Sequence, residues 1–187
     1  MKKTLSIILT LCMVLGLCSF SVAAAPEGIA ITNAAEFAAM AADGTYYLAN
    51  DITLDATWNA GAEVSSTYKN NTAFTGTLDG NGKTITTSAP LFANLQGAVK
   101  NLTIAGAIDG NALNCGAVSM WTNGTLTVEN VTNKATITNA VTVGGIAGYC
   151  ATGTEATFTN CVNDADLVAT SQIGGIAGYI QDDVVVI

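Results

Sequence analysis

The chain of 187 residues repeats one glycine-rich heptapeptide. VGGIAGY occupies positions 143–149, and IGGIAGY occupies positions 173–179. A phosphate-binding loop needs a helix after its glycines, because the helix N-terminus must face the anion. The residues after Gly148 have no helical pattern, and no lysine lies near them. The duplication therefore predicts a structural unit of a repeat protein rather than a nucleotide site.

Other short segments recur at the same interval. GTLDGN at 76–81 resembles GAIDGN at 106–111, and VENVTN at 128–133 resembles FTNCVN at 158–163. They are β-branched runs broken by Gly, Asn and Asp, which is typical of strands and tight turns. At ~3.3 Å per residue, such a repeat traces on the order of 100 Å, which suits one three-sided coil of a β-helix. The sequence predicts an all-β fold: a right-handed parallel β-helix with about 30 residues per coil and nearly four coils.

Alignment of the repeated sequences assigns three sets of residues to columns that run from coil to coil. Stacked asparagine side chains can hydrogen-bond between coils at a corner, and glycine lets two backbones approach closely. The predicted inward aliphatic ladder contains Leu78, Ile108, Ile137 and Leu167. The predicted corner column of asparagines contains Asn101, Asn130 and Asn160. The predicted column of close-packed glycines contains Gly116, Gly145 and Gly175.

One short helix is predicted before the repeats, over about 34–42. Asn33 is a favourable N-cap, Glu36 follows it at the spacing of a capping box, and alanine dominates the interior. We expect this helix to cap the solenoid. The predicted organisation is a signal peptide over 1–25, an N-terminal cap over 26–73, and β-helix repeats over 74–187.

The segment over 1–25 has the pattern of a secretory signal peptide. Lys2 and Lys3 form a positive start, the stretch 5–20 is apolar, and small side chains at 21–25 offer a cleavage site. The apolar run is too short for a membrane span, and no later segment is apolar enough for one. The chain is therefore predicted to be exported, to an extracellular or cell-surface location.

Composition excludes several kinds of function. The chain has no histidine, and all six of its basic residues are lysines. A Ser-His-Asp or Cys-His nucleophile and a histidine-ligated zinc site therefore cannot form. The residues after Ala25 include four lysines and 14 acidic residues, so their net charge is 4 − 14 = −10. A negative charge of this size repels nucleic acid. We predict no cofactor, no metal and no nucleic-acid partner, while carboxylate chemistry stays open.

Three cysteines follow the predicted signal peptide. An odd number in an exported chain argues against a complete disulfide framework. Cys150 and Cys161 are candidates for one bridge. The alternative is that Cys115, Cys150 and Cys161 are small buried apolar residues.

The repeats resemble a known group of bacterial surface proteins. GTLDGNGKTI (76–85), LF (91–92), VKNLTI (99–104) and the two GGIAGY runs are similar to GLUG-motif proteins, which resemble pectate-lyase-like right-handed β-helices. EFAAMAADGTYYLANDITL (36–54) resembles the N-terminal cap of such proteins. The resemblance implies a secreted or surface-attached protein. In this group the repeats accompany adhesins, peptidases and many uncharacterised surface proteins, and nothing here matches the histidine motif of those peptidases.

These observations predict a non-catalytic adhesion, interaction or scaffold module of a larger surface protein. No catalytic residue is assigned, and a host protein or a glycan is the expected kind of partner. Tyr149 and Tyr179 stack in register, with Trp121 near the same column, so these three aromatic residues are the candidate binding residues.

A carbohydrate-active β-helix enzyme, either a polysaccharide lyase or a hydrolase, is the alternative. Asp164 and Asp166 are separated by one residue and so are able to share a strand face, and Asp182 and Asp183 form another acidic pair. The apolar end, 184–187, would leave an exposed strand edge. We therefore expect the chain to be a fragment or a truncated form of a longer surface protein.

Overall fold

A computed structural model describes residues 25–59, 72–181 and 185–186. Seventeen strands and one short helix occupy these residues, and all strand pairs are parallel. The strands stack as a β-solenoid of about four turns. The predicted all-β parallel β-helix is therefore confirmed. Residues 1–24 of the predicted signal peptide and the acidic pair at 182–183 lie outside the described residues.

The helix and strands follow one another in short segments. In chain order they are β1 (Ile29–Ile31), α1 (Ala34–Ala38), β2 (Thr45–Leu48), β3 (Ile52–Leu54), β4 (Thr77–Asp79), β5 (Thr84–Thr87), β6 (Phe92–Asn94), β7 (Ala98–Asp109) and β8 (Asn114–Gly116). They continue as β9 (Ser119–Thr122), β10 (Thr125–Asn133), β11 (Thr136–Gly144), β12 (Ala147–Cys150), β13 (Glu155–Thr159), β14 (Val162–Asn163), β15 (Leu167–Gly174), β16 (Ala177–Ile180) and β17 (Val185–Val186).

The strands form two sheets. β6, β9, β12 and β16 form the smaller sheet, and the other strands form the larger one. Side chains alternate between core and solvent, as expected for a period of two. In β10, for example, Leu126 and Val128 are fully buried while Thr127 lies on the outer side. Burial of these apolar side chains, at roughly 25 cal/mol per Å² of apolar surface, is the main stabilising contribution.

The coils differ in length. Strand pairing joins Thr77 to Ala98, Ala98 to Thr127, and Thr127 to Thr157, so successive coils cover 77–97, 98–126 and 127–156. We call the first of these, 77–97, the short coil. It has no counterpart of β8, which within the described part of the chain pairs only with β11 of the following coil. The solenoid therefore gains a strand between the short coil and the coil that follows it.

This difference corrects the predicted position of Leu78. Leu78 is fully buried, but it pairs with Tyr46 and Val99 and does not belong to the ladder assigned to it. The ladder itself consists of Ile108, Ile137 and Leu167. Because the short coil omits one strand, counting a full repeat forward from Leu78 leads to a different face of the solenoid.

The wrong alignment of Leu78 with Ile108 arises because the two Asp-Gly-Asn turns that follow these residues have the same hydrogen bonds. Asp79 Oδ1 accepts a hydrogen bond from the Asn81 backbone at 2.8 Å, and Asp109 Oδ1 accepts one from the Asn111 backbone at the same distance. Both asparagines have a left-handed backbone conformation, with φ of 51° for Asn81 and 49° for Asn111. The Asp-Gly-Asn segments therefore build the same turn at two different corners, which makes them similar in sequence without being in register.

The predicted asparagine column is a continuous hydrogen-bonded ladder in the structure. Asn130 Nδ2 donates to Asn101 Oδ1 at 3.1 Å, and Asn160 Nδ2 donates to Asn130 Oδ1 at 3.1 Å. All three residues have positive φ, between 51° and 54°. Asparagine tolerates this conformation better than most residues, so the same side chain both permits the corner and links the coils.

One member of the predicted glycine column, Gly116, is displaced by one residue from its predicted position. Gly116 pairs with Gly144, which pairs with Gly174, so Gly116 does not align with Gly145. The turn before Gly116 contains one residue more than the corresponding turn of the next coil, which shifts the register. Gly145 does lie over Gly175, and its N–H points to the Gly175 carbonyl at 3.2 Å.

Helix α1 is shorter than the predicted span of 34–42 and ends at Ala38. After one further turn-type bond, from the Met40 N–H to the Phe37 carbonyl, the backbone bonds to side chains and the helix does not continue. Trp58 Nε1 donates to the Met40 carbonyl at 3.2 Å, and the Ala41 N–H donates to the Tyr46 hydroxyl at 2.7 Å. At the start of the helix, Asn33 Oδ1 accepts from the Glu36 N–H at 3.0 Å, as expected of an N-cap.

The two ends of the solenoid are packed differently. Near the N-terminus, Phe74 stacks on Phe92 with ring centroids 4.7 Å apart, and Trp58 packs edge-on against Phe74. In the last described coil, by contrast, Val168 and Ile173 are 55% and 57% exposed. The hydrophobic core is therefore closed by aromatic side chains at one end and thins out toward the other.

Candidate functional site

Trp121, Tyr149 and Tyr179 form one column on the smaller sheet, which we call the aromatic ladder. Strand pairing aligns Trp121 in β9 with Tyr149 in β12, and Tyr149 with Tyr179 in β16. The ring centroids of Trp121 and Tyr149 are 4.5 Å apart with an angle of 4° between the planes. Those of Tyr149 and Tyr179 are 4.9 Å apart at 24°. The structure thus brings together all three candidate binding residues.

Backbone geometry explains this stacking. Neighbouring parallel strands lie ~4.8 Å apart, so identical positions in successive coils place their rings at stacking distance. Each such aromatic contact contributes about 0.5–1.5 kcal/mol beyond the area that it buries. The rings are half-buried, and each covers a face of its neighbour. Because both faces of Tyr149 are covered, the ladder presents mainly ring edges to solvent.

Tyr149 is also held through its hydroxyl. Burial, and to a lesser extent the neighbouring Tyr179, raise the pKa of Tyr149 above its ordinary value. The phenol therefore stays protonated at neutral pH and donates to Gln181 Oε1 at 3.3 Å. The same Oε1 accepts the Thr152 N–H at 3.1 Å. These bonds tie the ladder to the next corner of the solenoid.

A second outward column lies two positions after the aromatic ladder. Its polar members are Gln96, Asn123 and Gln181, which we call the amide column. Asn123 Oδ1 accepts from Gln96 Nε2 at 2.8 Å and from Asn94 Nδ2 at 3.3 Å. The two columns are adjacent because Asn123 and Gln181 each follow a ring of the aromatic ladder by two residues, directly after the ends of β9 and β16.

A depression of about 350 Å³ lies between the two columns. It is lined by Trp121, Asn123, Ala151, Thr152 and Gln181. Of these, only Trp121 was predicted from the sequence. The available signal was the spacing in the sequence, because Asn123 and Gln181 each stand two positions after an aromatic residue of the ladder, directly beyond the ends of β9 and β16. Asparagine and glutamine were not recognised because their column does not repeat one residue type.

Glycines of the repeated heptapeptide let the strands of the aromatic ladder pack closely against other strands on their inner side. A Cβ atom on Gly148 would lie 2.7 Å from the Cys115 backbone nitrogen, and one on Gly178 would lie 2.6 Å from the Val143 carbonyl carbon. Here β12 packs directly against the backbone of β8, and β16 packs against the backbone of β11. The heptapeptide therefore builds a tight corner and places its tyrosine on the outer face.

The three described cysteines are free thiols, so Cys150 and Cys161 do not form a bridge in this structure. Burial raises the pKa of Cys115 to about 12, with a smaller effect from Asp109, and burial raises the pKa of Cys150 to about 11. Burial also raises the pKa of Cys161, which is less deeply buried.

We expect iodoacetamide to modify Cys161 before Cys115 and Cys150 in the folded protein at neutral pH. The thiolate is the reactive form, and only Cys161 among these three combines partial exposure with a less buried sulfur. Peptide mapping by mass spectrometry at successive times would measure the order, and all three rates should rise as the pH increases. Equal rates in the native and the urea-unfolded protein would contradict the expectation.

The acidic pair of the alternative enzyme hypothesis lies in a turn. Asp164 and Asp166 occupy the connection between β14 and β15, so they do not share a strand face. The Asp166 carbonyl accepts the Ile137 N–H at 3.0 Å, which is a structural contact between coils. Within the described residues, no group of three or more potential metal-ligating side chains assembles.

No helix in the described part of the chain has the length and hydropathy needed to cross a bilayer.

The fold and this surface define a parallel β-helix with an outward aromatic and amide strip. No protein-family model matches the chain, and no solved structure matches it. Among curated proteins, halomucin from Haloquadratum walsbyi is 31% identical over 140 residues, which cover 65% of this chain and 2% of halomucin. The chain therefore corresponds to a very small part of that relative.

Proposed function

We propose that the chain is a non-catalytic module of a secreted or cell-surface protein, which presents a rigid surface for adhesion or scaffolding. The observation that carries this proposal is the aromatic ladder, whose three rings are aligned with one another by backbone pairing and lie beside the amide column. Such a strip is fixed before any partner arrives, so little conformational entropy is lost on binding.

Similarity to halomucin supports an exported or surface location for this chain. The resemblance of the repeats to GLUG-motif surface proteins points in the same direction. A solenoid also suits this role, because each coil contacts only its neighbours and the outer faces remain available along the whole axis.

The proposal predicts retention without chemical conversion. We expect the purified chain to be retained on at least one surface from a panel of immobilised polysaccharides, mucin-type glycoproteins and intact cells. Retention would be measured by surface plasmon resonance or by sedimentation with the cells. In the same polysaccharide samples, reducing ends and unsaturated products should stay at the level of the protein-free control.

An increase in either product would favour the carbohydrate-active alternative instead. Asp164→Asn and Asp166→Asn are the matched variants for that outcome, because each removes one charge of the turn and changes the side-chain volume little. Product formation that disappears in these variants would overturn the non-catalytic assignment. Absence of retention on every surface would overturn the adhesive role.

A further inference from the structure

We infer that the depression between the aromatic ladder and the amide column binds a neutral saccharide of one or two sugar rings. The inference rests on the proposed function, because it names the ligand class of the surface that the module presents. The depression measures about 350 Å³, near the lower end of the ~300–1,000 Å³ range of ligand pockets.

The amide groups are arranged as hydrogen-bond donors for hydroxyl groups. Both bonds that Asn123 makes use its Oδ1, and both bonds that Gln181 makes use its Oε1. Within the described residues, Asn123 Nδ2 and Gln181 Nε2 therefore have no partner, while the oxygen of each side chain is fixed. The Thr152 side chain is exposed beside them and adds a hydroxyl that both donates and accepts.

A buried amide holds one of these donors in place. Asn94 is only 3% exposed, and its Nδ2 donates to Asn123 Oδ1 at 3.3 Å, which orients the Asn123 side chain. The amide N–H groups donate and the Thr152 hydroxyl both donates and accepts, which suits a sugar because each sugar hydroxyl does both.

The apolar part of the depression comes from Trp121 and Ala151. Sugar rings present C–H groups that pack against apolar and aromatic surface. Tyr149 stacks on the Trp121 indole with planes only 4° apart, so the indole is already ordered before binding. This order reduces the entropic cost of fixing a ligand against the exposed edge of the indole.

Charge selects a neutral sugar over an acidic one. None of the five lining side chains is charged. The chain after Ala25 carries a net charge of 4 − 14 = −10, from four lysines and 14 acidic residues. A uronic acid would therefore find no cation in the depression and would be repelled by the protein as a whole.

Tryptophan fluorescence tests the inference directly. Trp58 is 4% exposed, whereas Trp121 lines the depression, so Trp121 should report the binding of a ligand. The full chain would be titrated with hexasaccharides of glucose, mannose and galactose, and with hexagalacturonate. We expect a saturable emission change with at least one neutral hexasaccharide and none with hexagalacturonate. Trp121→Phe, which keeps a stacking ring, should abolish the emission change.

Substitution of the amides locates the site. Asn123→Ala and Gln181→Ala should each weaken binding about 5-fold, as expected for loss of one hydrogen bond. Gln172→Ala is the matched control, since Gln172 also lies in the last described coil and accepts a bond from a hydroxyl, that of Thr142, at 2.7 Å. Its affinity should be unchanged. Should Gln181→Ala prove unfolded by circular dichroism, the exposed Asn123 decides alone.

Either of two titration results overturns the inference. One is the absence of binding by every neutral hexasaccharide, and the other is tighter binding of hexagalacturonate. The retention assay of the preceding subsection separates this failure from that of the proposed function. If Asn123→Ala and Gln181→Ala are retained to the same extent as the unchanged chain, the saccharide site is rejected while the adhesive role is kept.

Discussion

Replacement of Gly145 by alanine should lower the free energy of unfolding by about 3 kcal/mol or prevent folding. A Cβ atom at this position would lie against the Gly175 carbonyl oxygen and 2.6 Å from Asn163 Cβ. These atoms belong to the backbone or are directly attached to it, so no flexible side chain can move away. The clash is relieved only if neighbouring coils separate, which lengthens the hydrogen bonds of this corner.

Gly175 provides the matched control for Gly145. It occupies the same position of the repeated heptapeptide one coil later, but no described atom lies within 4 Å of its Cβ position. Neither glycine has a positive φ, so the two substitutions differ in packing alone. Gly175→Ala should change stability by less than about 0.5 kcal/mol. Urea unfolding followed by circular dichroism measures both variants, and equal losses would contradict the close packing at Gly145.

Replacement of Asn130 by alanine should cost about 2–3 kcal/mol. Asn130 has a left-handed backbone conformation, which costs alanine about 1–2 kcal/mol. Its side chain also forms two hydrogen bonds of the asparagine ladder, and each contributes about 1 kcal/mol at most on an exposed corner. The middle position should matter most, because its loss interrupts the ladder between Asn101 and Asn160.

Asn130→Gly separates the two causes. Glycine adopts positive φ without strain, so this variant loses only the hydrogen bonds and should cost about 1–2 kcal/mol. Thermal unfolding should show a smaller decrease in Tm for glycine than for alanine. A glycine variant less stable than the alanine variant would show that backbone strain is not what asparagine relieves at this corner.

The repeat allowed much of the fold to be predicted, because a parallel solenoid places equal spacings in sequence at equal positions in space. Asn101, Asn130 and Asn160 are such a set, and their spacing matches the lengths of the coils in which they lie. Leu78 was misplaced because coil length is not visible in the residues of a turn. The same Asp-Gly-Asn turn closes two different corners, so local similarity concealed the missing strand.

The candidate site was predicted only in part, for a related reason. The aromatic ladder repeats one chemical type, so Tyr149 and Tyr179 could be matched across coils. The lining of the depression instead combines Asn123, Thr152 and Gln181, and residues of these polar types are also common in turns. Their shared role depends on side-chain direction and on hydrogen bonds between coils, which require coordinates.

The unequal coils also fix the alignment of the chain with itself during folding. A regular repeat is able to pair each strand with the wrong copy, one coil too early or too late, and still bury a similar set of side chains. Here the short coil cannot occupy the place of a longer one, since it has no counterpart of β8. A slip by one coil would leave β11 without that neighbour. The short coil therefore makes the correct strand pairing more stable than pairings that are shifted by one coil.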